Sequence, residues 1–123
     1  MAITLTKVQK FVTYWQRRLH LTDWRLRVRV GEFEDEGRFG RTCAANVSRP
    51  EYLEADIYVD PVRVVKAEEE LKPLMCHEVT HCLTAELVGI ADLWAGDDAG
   101  RKEYVRTVHE RLVTRLERIF TDE

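Results

Sequence analysis

His77-Glu78-Val79-Thr80-His81 is the stretch of this chain whose residue types and spacing could do chemistry. Two histidines at i and i+4 stand one above the other on a helix face, so both imidazoles can reach a single metal ion. The glutamate that follows the first histidine lies close enough to take a proton from a metal-bound water. The pattern therefore points to hydrolysis assisted by zinc. A chain with four histidines in 123 residues produces it by chance on the order of once in a hundred times, so its setting has to decide.

The setting is a helix expected from about Ala67 to Val88. Projected at about 100° per residue, Met75, Cys76, Val79, Cys82, Leu83 and Leu87 surround most of its circumference. A helix apolar on most sides is buried. The sector left open holds His77, Glu78, His81 and Thr84. Two histidines and a carboxylate inside a buried helix are costly unless each has a partner, and a cation with its water supplies those partners.

The elements that must position this helix read as follows. Leu5, Val8, Phe11, Val12, Trp15 and Leu19 recur at helical spacing, giving an amphipathic helix from about Leu5 to His20, with Thr6 and Gln9 as a capping box. Leu21-Thr22-Asp23 breaks it. From Trp24 to Val30 apolar residues alternate with Arg25, Arg27 and Arg29, the pattern of a half-buried strand with a solvated arginine face. The acidic run Glu32 to Glu36, ending in Gly37 and followed by Gly40, is a loop or hairpin tip. Second and third strands are expected from Arg41 to Ser48 and from Leu53 to Val59, closed by Pro50 and Asp60-Pro61.

Glu68, Glu69 and Glu70 crowd the start of the motif helix, where negative charge suits its dipole. Pro73 either kinks the first turns or marks the first regular position. Gly89 ends the helix, Ile90 to Gly100 form a loop, and a last helix runs from about Arg101 to Phe120 with Val105, Val108, Leu112, Leu116 and Ile119 on one stripe. The fold class expected is α+β: an N-terminal helix, a small three-stranded mostly antiparallel sheet, the H-E-x-x-H helix and a C-terminal helix, in one domain spanning residues 1–123.

Composition narrows the function further. A net charge of -3 gives no overall pull toward nucleic acid, and no segment is apolar and long enough to cross a membrane. The N-terminus lacks the basic-then-apolar layout of a secretory signal, so a cytoplasmic location is expected. Cys43, Cys76 and Cys82 are an odd number in no framework spacing, and read as small core residues rather than a disulfide scaffold.

A catalytic zinc takes three protein ligands and leaves a fourth position for water. His81 is followed by Cys-Leu-Thr-Ala-Glu, without the third histidine of a metzincin. The remaining ligand must come from farther along: Asp97, Asp98, Glu103, His109 or Glu110. On the helical projection Glu103 lies away from the centre of the apolar stripe, Glu110 shares its face as a solvated charge, and His109 lies near the stripe's edge. A first-turn residue such as Glu103 can still reach a site that the helix body does not face. Asp98 also suits the N-cap of the last helix.

The layout of an N-terminal helix, three short strands, the H-E-x-x-H helix and a further helix bearing a glutamate resembles small gluzincin-like metallopeptidases, including SprT-like and minimal zincin domains of phage genomes. That resemblance implies a zincin-like fold and a Zn2+ cofactor. In such proteins the third ligand is a glutamate early in the last helix with apolar residues two and five positions later, which Glu103-Tyr104-Val105-x-x-Val108 matches. The implied site is zinc on His77, His81 and Glu103, with Glu78 as general base. It also implies a peptide or protein substrate, bound as an extended strand beside Arg41–Ser48 or Leu53–Val59.

For the developing oxyanion the candidates are His109, Tyr104 and Arg101, His109 being preferred for its place near the apolar side. The expected activity is zinc-dependent peptide-bond hydrolysis. The alternative is a zinc-binding regulatory domain of phage or host-regulator type with little turnover. Nucleic-acid binding would rest on Arg25, Arg27, Arg29 and the basic last helix; the negative net charge and the missing zinc-ribbon cysteines count against it. A monomer or weak oligomer is expected, in the host cytoplasm if phage-encoded.

Overall fold

A computed structural model describes residues 3–31, 44–61 and 67–122, with side chains from residue 70 onward in the last stretch. The expected loop at 32–40, the start of the second strand and Cys43 lie outside the described residues.

Helix α1 spans Leu5–Arg18. Its N-cap is Thr4, two residues before the expected Thr6 box; the Thr4 hydroxyl accepts from the Lys7 N–H at 3.3 Å. Val8, Val12 and Trp15 are buried along one stripe. The Trp15 indole N–H donates to the Lys72 carbonyl at 2.7 Å and so fastens α1 to the motif helix. After Arg18 the chain turns at His20, whose φ of 57° is left-handed. The Gln16 amide then donates to the Leu21 and Trp24 carbonyls at 3.0 and 2.6 Å, holding the turn into the sheet.

Strands β1 (Arg25–Val30), β2 (Ala44–Arg49) and β3 (Glu54–Val59) form one sheet in the order β1-β3-β2. β2 and β3 pair antiparallel around a short 3-10 turn at Pro50–Tyr52, with Leu53 left-handed at φ 52°. β1 pairs parallel to β3. The sheet is therefore mixed, not mostly antiparallel. Alternation of apolar residues fixes which face of a strand is buried but not its direction, and the long 31–43 connection allows β1 to run parallel.

One sheet face carries Val28 beside Ile57 and packs on α1 and on the motif helix in a single core. On the other face Arg25 pairs with Glu54, while Arg49 pairs with Glu54 and Asp56 at 3.4 and 3.3 Å. Arg27 and Arg29 are exposed, as a solvated strand face requires.

The motif helix α2 spans Ala67–Ala95 and α3 spans Ala99–Thr121. α2 runs through Pro73 and through Gly89, ending at Ala95, seven residues past the expected Val88. Gly96, with φ 54°, supplies the left-handed stop, its N–H donating to the Asp92 carbonyl at 3.0 Å. Asp98 caps α3, its carboxylate accepting from the Arg101 N–H at 2.9 Å. Leu71, Met75 and Val79 are fully buried, each stabilising the fold by about 1.5–3 kcal/mol. Packing, not helix propensity, therefore holds this half of α2.

Candidate metal centre

α2 carries His77, Glu78 and His81 into a cleft whose walls are the outer strand β2 and helix α3. Ligand atoms of these three side chains lie within 4.8 Å of one another, so the group could hold a metal ion. The two imidazole rings stand 5.2 Å apart, edge to face. β2 fixes the height of the helix: the Asn46 amide donates to the Glu78 carbonyl at 2.7 Å and meets the Cys82 sulfur at 3.4 Å.

The third group is Glu110. Its carboxylate bridges the histidines, 3.4 Å from His77 Nε2 and 3.2 Å from His81 Nε2. Both spacings are those of ion pairs, and they bring one carboxylate to the two ring nitrogens. On the opposite ring nitrogen, Glu117 Oε1 lies 3.0 Å from His77 Nδ1. That contact holds the ring with Nε2 on the Glu110 side.

The structure does not bring Glu103, the expected third ligand, to the two histidines. Glu103 is exposed and pairs with Arg106 at 3.2 Å. It precedes Glu110 by seven residues, roughly 10 Å along the helix axis. The cause is the extra length of α2: continuing to Ala95, it sets Glu103 level with the Val88 turn and Glu110 level with His81. Glu103, Glu110 and Glu117 recur every seven residues on one face of α3. That heptad spacing was the available signal for Glu117, which sequence reasoning missed.

His109 also lines the cleft. Its ring meets the His81 ring edge to face at 4.7 Å, and its Nε2 is 2.7 Å from the Thr84 hydroxyl. Tyr104 and Arg101 are placed elsewhere: Tyr104 is 64% exposed, and the Arg101 guanidinium stacks on Trp94. Asp97 and Asp98 sit at the α2–α3 turn.

Charge follows position. Hydrogen bonds from His77 and His81 hold the Glu110 carboxyl well below the usual carboxylate range. Burial disfavours a charged His77, but Glu110, Glu78 and Glu117 outweigh it and lift the imidazole to about 9. Glu78 is raised, first by burial, against the pull of His81 and His77. His109 is lowered by burial and by His81 beside it, and so stays neutral. Burial pushes the Cys76 and Cys82 thiols up to about 11, as befits inert core residues. A pair of imidazoles, one low carboxylate and one carboxyl of raised proton affinity make a donor set that could hold a cation. No family model, curated protein or solved structure matches the chain.

Proposed function

We propose that the chain is a zinc-dependent metallopeptidase with His77, His81 and Glu110 as metal ligands. The observation that carries this reading is the convergence of Glu110 on both Nε2 atoms next to a buried Glu78. Two nitrogens and one carboxylate oxygen suit zinc and leave a fourth position open. When bound, zinc lowers the pKa of its water to about 7.

Glu78 is the proton carrier. Burial raises its proton affinity, which brings it nearer to the value a general base needs at neutral pH. It takes the proton from the attacking water and gives it to the leaving amine. Glu117 holds the His77 ring in register from behind. His109, with Nε2 engaged by Thr84, braces His81 and keeps a neutral polar wall on the cleft. β2 borders the cleft and, among the described residues, is an edge strand, the place where an extended peptide adds to a sheet.

The test is zinc content together with hydrolysis of a peptide library by the wild type and by Glu78→Gln. The reading expects about one zinc per chain in both and cleavage only in the wild type. Zinc retained without cleavage in either would favour a binding domain instead. Cleavage surviving in Glu78→Gln would remove Glu78 from its role.

A further inference from the structure

Among the described residues, nothing covers the side of the α2–α3 hairpin facing away from the cleft, and that side is apolar. Leu83, Leu87, Ile90 and Trp94 follow one another at three- and four-residue steps along α2, with Tyr104 and Val108 beside them on α3. Leu87, Ile90 and Tyr104 are each about two-thirds exposed. The stacking of Arg101 on Trp94 shows that the two stripes adjoin. With Leu112, these side chains offer on the order of 700 Å² of accessible surface, more than a monomer ordinarily leaves in one patch. The two-layer core needs none of them, since none belongs to it.

We infer that this face is the interface of a homodimer. The area is close to the roughly 800 Å² per partner that a stable dimer uses. The charges at its margins are self-complementary. Glu86 borders the patch on α2, Arg111 and Arg115 border it on α3, and no ion pair among the described residues engages any of the three. A two-fold axis along the hairpin lays α2 of one copy over α3 of the other, an isologous contact. Glu86 then meets the partner's Arg111 and Arg115 across an apolar centre. The two clefts open outward on opposite sides, and neither is obstructed.

Sedimentation velocity and light scattering on the full chain over a wide concentration range test this. The expected mass is twice the 14.4 kDa of the chain, falling to one chain in Leu87→Glu/Ile90→Glu. Both positions are exposed, so the variant should keep its helical circular dichroism and its zinc content. Glu86→Arg should weaken the dimer, and adding Arg111→Glu/Arg115→Glu should restore it. A single-chain mass at all concentrations overturns the inference, as does a dimer indifferent to Leu87→Glu/Ile90→Glu. Binding of the monomer to lipid vesicles through this face would overturn it as well.

Discussion

The two halves of α2 are built on opposite plans. From Leu71 to Cys82 the helix is enclosed by α1, the sheet and α3, and Glu78 and Thr80 lie buried within it. From Glu86 to Ala95 it is flanked by α3, and its large side chains lie outside, with Leu93 84% exposed. Burying polar groups costs stability unless each is satisfied, and exposing large apolar groups gives up stability. The inner half therefore reads as a site and the outer half as a contact surface.

The sharpest way to break this comparison is through the carboxylates of α3, one level with each half. Glu110→Ala should lower zinc affinity by more than the roughly 10–100-fold typical of an outer-shell group. Glu103→Ala, level with the outer half, should leave it unchanged. Competition titration with a chromogenic chelator measures both, and equal effects would undo the assignment of Glu110. Glu117→Gln should fall between them, weakening zinc by about 10–100-fold while keeping the fold.

Packing gives the next contrast. Met75→Ala, in the enclosed half, should cost about 2–5 kcal/mol, whereas Leu93→Ala should stay within about 0.5 kcal/mol. Urea unfolding of the zinc-free protein at low concentration reports both.

The smallest effect is the pH dependence of the zinc-free protein. His77 is raised from 6.5 to about 9 in the folded state, so its contribution is fully present below 6.5 and is lost as pH rises through about 9. Glu110 is lowered from 4.5, and its contribution is present above 4.5 and lost as pH falls below it. Melting temperatures with chelator should therefore be highest between about 5 and 6.5 and decline toward pH 9. With zinc the decline should vanish, because the metal replaces the proton on His77. A flat profile in chelator would contradict the pairing of His77 with Glu110 and Glu117.

Much of this was legible in the sequence because it rests on local rules. The periodicity of Val8, Val12 and Trp15 marks α1, alternation around Arg25, Arg27 and Arg29 marks β1, and the histidine spacing marks the cleft-facing sector of α2. What was not legible depends on partners distant along the chain. Whether β1 runs with or against β3 is set by the connection between them. Gly89 and Gly96 are alike as residues, and tertiary packing decides which one ends the helix. With the helix running on to Ala95, Glu110 rather than Glu103 stands beside the two histidines.

The three residues between α2 and α3, Gly96 to Asp98, carry one more consequence. With so short a link the two helices meet by a local search, whereas the parallel pairing of β1 with β3 must close a far longer loop. The histidines of α2 and the carboxylates of α3 are therefore joined by a short loop, so bringing them together costs far less chain entropy than closing the sheet.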